Sequence, residues 1–96
     1  MKVEFKSGRK NSDRTWLNVY LLLEKKNQKI KPIQETCNVI NQRKQIYELL
    51  SGEKYAFVET VRRKGKFITG TTEVEVKEGE IKILKEEGFP LKFNLL

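Results

Sequence analysis

Residues Glu53 to Lys85 read EKYAFVETVRRKGKFITGTTEVEVKEGEIKILK, and the reading of this stretch decides the fold. Three segments alternate apolar and polar residues, separated by two charged turns that each hold one glycine, Gly65 and Gly79. Successive side chains of a strand point to opposite faces of a sheet, so the pattern predicts two consecutive β-hairpins, over residues 53–76 and 73–85. With Lys64-Gly65 as a two-residue turn, Arg63 is expected to face Lys66, Val61 to face Phe67, Glu59 to face Thr69 and Phe57 to face Thr71. With Glu78-Gly79 as the second turn, Val76 faces Ile81, Val74 faces Ile83, and Glu75 opposes Lys82. These pairings put Ala56, Val58, Ile68, Val74, Val76, Ile81 and Ile83 on one side, the expected core face. Tyr55, Phe57, Val61 and Phe67 fall on the other, with Glu59 among them. A three-residue loop with glycine in the left-handed position is an alternative for either turn, and Gly70 is a candidate bulge.

Before this stretch, Lys2 to Lys6 (KVEFK) alternates and predicts a first strand; Ser7 to Asp13 (SGRKNSD) is turn chemistry and predicts an exposed loop. Thr15 to Glu24 (TWLNVYLLLE) is apolar almost throughout and reads as a central strand. Leu17, Val19 and Leu21 share one face of it, Trp16 and Tyr20 the other, and both faces are expected to be core. Residues 25–29 form a polar turn. Residues 30–40 (IKPIQETCNVI) read as an edge strand beside 15–24, because Pro32 forbids a central position; a helix opening near Glu35 or Asn38 is the competing reading.

A helix is predicted over residues 42–51. Asn41 suits the N-cap, Ile46, Tyr47, Leu49 and Leu50 cluster on one side, and Gly52 stands where a C-cap glycine belongs. Residues 89–96 (FPLKFNLL) alternate and predict a last edge strand, docked or offered to a partner. The fold class expected is therefore α+β: one domain over residues 1–96, with a mostly antiparallel sheet of five to six strands and one short helix packed on it.

Ninety-six residues at 38% hydrophobic content suffice for one core without covalent staples. The single cysteine, Cys37, excludes an internal disulfide, and the absence of histidine removes the usual general base and the Ser-His and Cys-His pairings. The chain is expected to be no enzyme, to carry no cofactor and no metal, to avoid the membrane and to reside in the cytoplasm.

The net charge of +7 is unevenly placed. Residues 1–66 hold 16 Lys and Arg against 7 carboxylates, whereas residues 67–96 hold 4 against 6. Such asymmetry points to an acidic partner, DNA or RNA, although a composition rich in Lys and Glu explains a charge excess equally well. Arginine forks match phosphates and guanine edges. The expected nucleic-acid site is thus the hairpin tip Arg62, Arg63, Lys64 and Lys66, joined by Arg9, Lys10 and Arg14 from the first loop. Tyr55, Phe57 and Phe67 are the expected stacking face beside it. The competing functional expectation is a protein-interaction module, a small inhibitor or accessory subunit, that binds a protein partner or its own copy through the apolar strand at 89–96.

Overall fold

The computed structural model describes residues 1–7, 14–37, 43–88 and 91–96. Its elements are all strands: β1 (Lys2–Ser7), β2 (Arg14–Leu21), β3 (Gln28–Ile30), β4 (Gln34–Cys37), β5 (Arg43–Glu48), β6 (Lys54–Arg63), β7 (Lys66–Lys77), β8 (Glu80–Glu87) and β9 (Phe93–Leu95). They form two antiparallel sheets, one ordered β4-β5-β1-β9 and the other β3-β2-β6-β7-β8. The chain crosses between the sheets after β1, β3, β5 and β8. The inner faces of the two sheets enclose one core, as in a β-sandwich. Val3 and Phe5 of β1, with Tyr47 and Leu49 beside them, meet Leu17, Val19, Tyr55, Phe57, Val74 and Val76 of the larger sheet, and Leu91 closes the cluster.

The expected α+β class is thereby corrected to all-β, and no helix is present among the described residues. Residues placed in the expected 42–51 helix form β5, which lies between β4 and β1. The cause lies in RKQIYELL, which satisfies both periods. On a strand, Gln45, Tyr47 and Leu49 all turn inward and are at most 5% exposed, while Glu48 and Leu50 turn out. Pairing on both sides outweighs the helix propensity of Arg, Lys, Gln and Leu. Gly52 does take a positive φ, of 86°, but in a turn between β5 and β6 rather than at a helix end; Glu53 N–H closes that turn on Leu50 O at 3.3 Å. The edge strand expected at 30–40 is also displaced. β3 pairs with β2, but β4 pairs with β5 in the other sheet.

Both two-residue turns are present. Lys64 and Gly65 have φ of 50° and 78°, Glu78 and Gly79 of 54° and 74°. Two successive left-handed residues are the hairpin turn whose twist matches the flanking strands. The second hairpin pairs as expected, with Val76 on Ile81, Val74 on Ile83 and Glu75 on Lys82. The first keeps the expected Arg63–Lys66 pair and is corrected by one residue beyond it. From Arg63↔Lys66, each step back along β6 is one step forward along β7, so Arg62 meets Phe67, Val61 meets Ile68, Glu59 meets Gly70 and Phe57 meets Thr72. Tyr55, Phe57, Glu59 and Val61 therefore share the inner face with Val74 and Val76, and all six are at most 4% exposed. Ala56 and Val58 take the opposite face. No bulge occurs at Gly70; the register shifts instead between Glu73 and Val74, where Leu84 of β8 is the extra residue.

Three local features lend themselves to measurement. Gly88 has φ of 86°, and a Cβ there would lie 2.5 Å from Thr69 O, so the chain leaving β8 passes directly against β7. Gly88→Ala is expected to lower unfolding free energy in urea by at least about 2 kcal/mol, from left-handed strain plus overlap with a backbone that has no room to move. Gly79→Ala, with open space around it, incurs only the strain, about 1 kcal/mol. The Tyr55 hydroxyl accepts the Leu50 N–H at 2.8 Å beneath the β5–β6 turn, and Tyr55→Phe strands that donor at an expected cost of about 1–2 kcal/mol.

On the outer face of the smaller sheet Glu4, 7% exposed, lies 3.1 Å from Lys44 Nζ and 3.7 Å from Lys6 Nζ. The hydrogen bond to Lys44 holds its carboxyl below the ordinary value of 4.5. A carboxyl with a lowered folded-state value binds its proton more weakly folded than unfolded. Its stabilisation is thus full above pH 4.5 and lost as pH falls through the lower folded value. Glu4→Gln is expected to flatten the acid limb of the stability profile, read as urea midpoints between neutral and strongly acid pH.

Candidate nucleic-acid interface

The corrected register decides which side chains meet on the outer face of the larger sheet. Arg62 and Phe67 are paired across β6 and β7, and Arg14 pairs with Arg62 from β2. In the next row Trp16 pairs with Thr60, which pairs with Thr69. Side chains paired in an antiparallel ladder stand on one face, so Trp16, Phe67 and Arg62 are neighbours there. Their geometry bears this out: the Trp16 and Phe67 rings lie 6.2 Å apart at 38°, and the Arg62 Cζ sits 5.8 Å from the Phe67 centroid. A guanidinium over a ring at that distance is held by the ring quadrupole, which keeps its plane and its donors available at the surface. The Thr60 and Thr69 hydroxyls, 3.4 Å apart, floor the space beside them.

Both rings are open to solvent, Trp16 at 37% and Phe67 at 64%. Large aromatics on a sheet face normally seek cover; two adjacent ones left outside, beside a cation, form a surface on which a flat group can stack.

Carboxylates on this face are matched with lysines, and Glu73 and Glu75 lie toward its far end. Glu75 lies between Lys54 and Lys82, and Glu73 pairs with Lys85. Glu87 is 2.9 Å from Lys85 Nζ, a contact that raises the lysine's pKa. Glu59 is absent from the face altogether, being buried at 3% exposure on the core side opposite Gly70.

The expected site is rearranged accordingly. Of the stacking set, Phe67 alone stands on the surface. Tyr55 and Phe57 are core residues at 2% and 3% exposure, because the one-residue correction turns them inward, where Phe57 packs on Phe93 at 5.9 Å between centroids. Of the tip cations, Arg62 joins the aromatic pair, whereas Arg63 turns to the opposite face and is half-buried. Lys64 is exposed in the turn itself, and Lys66 is exposed opposite Arg63. Arg9 and Lys10 lie outside the described residues; Arg14 enters through its backbone pairing with Arg62. Trp16, expected in the core, is the residue that sequence reasoning missed. Its signal was Asn18, which shares its face and marks that face of β2 as partly wet.

No helix among the described residues is long and apolar enough to cross a membrane. Comparison of the chain with protein-family models, with curated proteins and with solved structures finds no match.

Proposed function

We propose that the chain is a non-catalytic binder of single-stranded nucleic acid, DNA or RNA, that lays the strand across the outer face of the larger sheet. The observation carrying this reading is the solvent-open Trp16–Phe67 pair with Arg62 over the Phe67 ring. Bases stack on such rings whatever their identity, while Arg62 on the same face and Lys64 in the turn meet the backbone. A strand fits this surface better than a duplex, whose bases are already stacked and cannot lie on Trp16 or Phe67. The uneven charge of the chain supports the same reading, with its cations concentrated before Phe67.

A second reading, strand addition by a protein partner or a second copy, draws on β9. It lies at the edge of the smaller sheet beside β1, and Leu95 and Leu96 are 52% and 64% exposed. Its three residues offer a short ladder, so the aromatic platform ranks above it.

Trp16 is the sole tryptophan, so its fluorescence reports directly on the proposed surface. Titration with oligothymidylate is expected to quench it, with affinity falling steeply as salt rises. Phe67→Ala is expected to weaken binding by about 1–3 kcal/mol, the worth of one stacked base. Arg62→Ala is expected to reduce the salt slope by about 0.7, the counterion share of one single-strand phosphate. Absence of binding at low salt, or binding indifferent to Phe67, contradicts the proposal.

A further inference from the structure

A groove of ≈ 540 Å³ opens between the two sheets on the side where the chain crosses from β3 to β4. Leu17, Ile30, Pro32 and Tyr47 make its apolar walls, and Trp16 stands at its border with the outer face. That size falls among small-ligand pockets.

Its polar groups are few and directional. Gln45 lines the groove and is 5% exposed. Gln45 Nε2 donates to Glu35 Oε1 at 3.4 Å, which orients the amide and turns its oxygen, an acceptor, away from that carboxylate. That oxygen is buried and has no hydrogen-bond partner among the described residues. Buried polar atoms are nearly always paired, and an exception in a groove wall is a place for a ligand's donor. The Glu35 carboxylate, the acceptor for Gln45 Nε2, lies beside it. Lys29 and Lys31 line the same groove and are exposed. A buried acceptor on Gln45 with a carboxylate beside it, and two lysines at the exposed rim, select a ligand with a neutral donor edge at one end and an anionic group at the other.

We infer that the groove is a base pocket for guanine, filled by a guanine of the strand that lies on the Trp16–Phe67 platform; the inference rests on that platform reading. Guanine sets two donors side by side, N1–H and the exocyclic amine, to meet Glu35 and Gln45 Oε1. Adenine and cytosine each put an acceptor next to their single amine, and thymine and uracil flank one N–H with two carbonyls, so each of these brings a lone pair against the carboxylate. The nucleotide's phosphate would lie toward Lys29 and Lys31. Specificity would thus come from the groove and general affinity from the platform.

The test uses Trp16 fluorescence of the intact chain with two kinds of probe. One is free guanosine, inosine or adenosine 5′-monophosphate; the other is oligothymidylate carrying one central guanine or one central adenine. Guanosine monophosphate is expected to quench saturably and more strongly than inosine monophosphate, which lacks the exocyclic amine. The guanine-bearing strand is expected to bind about tenfold tighter than the adenine-bearing one. Gln45→Leu and Glu35→Gln should each erase that preference while oligothymidylate binds as before. Gln45→Leu replaces a buried amide whose oxygen has no partner with an apolar group of similar size, and Glu35→Gln keeps at exposed position 35 an oxygen that can accept from Gln45, so both variants are expected to keep the fold. Strand binding without guanine preference, or a preference that survives both substitutions, overturns the pocket and leaves the platform standing. Gln45-dependent quenching by the free nucleotide without strand binding supports the pocket and overturns the platform.

Discussion

The left-handed pair Lys64-Gly65 sets the faces of the two longest strands. A two-residue turn admits one register, and because side chains alternate with period two, that register assigns every residue of β6 and β7 to a face. Tyr55, Phe57 and Val61 fall inward with Val74 and Val76, and Arg62 and Phe67 fall outward. β2 is paired to β6 along its whole length, so the same choice sends Leu17 and Val19 into the core and Trp16 out to meet Phe67. Core and surface platform are two consequences of one turn.

Much of this was legible in the chain. Both turns, the three pairs beside the second turn and the first strand follow from alternation and glycine placement, and the β2 strand from its apolar run. The expected pairing of Val61 with Phe67 does not follow from Arg63 on Lys66, which already places Arg62 on Phe67. Which face of β6 turns inward was open in the sequence, because Ala56 and Val58 alternate with Tyr55 and Phe57. In the segment around Ile46 and Tyr47, apolar residues spaced for a strand also cluster for one short helix, and tertiary pairing with β1 and β4 made the decision. Strand partners across the two sheets depend on contacts distant in sequence, so β4 beside β5 was invisible to local pattern.

The candidate site shows the same division. Cations at the hairpin tip are readable as a group, but their separation is not, because Arg62 and Arg63 are adjacent in sequence and opposite in space. Trp16 and Phe67 are 51 positions apart in the numbering and meet only through β6, whose Arg62 and Thr60 pair with both neighbouring strands. Register also decides where the carboxylates of these strands fall. Glu59 goes to the core, and Glu73 and Glu75 fall opposite lysines, leaving the aromatic end beside Arg62.

The outer face of β2, β6 and β7 is the proposed binding surface. Amide and indole chemical shifts recorded while oligothymidylate is added test it most directly. The largest changes are expected to cluster at the Trp16 indole, Arg62, Phe67 and Thr69, with β9 and the core-facing signals of Tyr55 and Phe57 little moved. Changes centred on β1 and β9, or none at all at low salt, would contradict it.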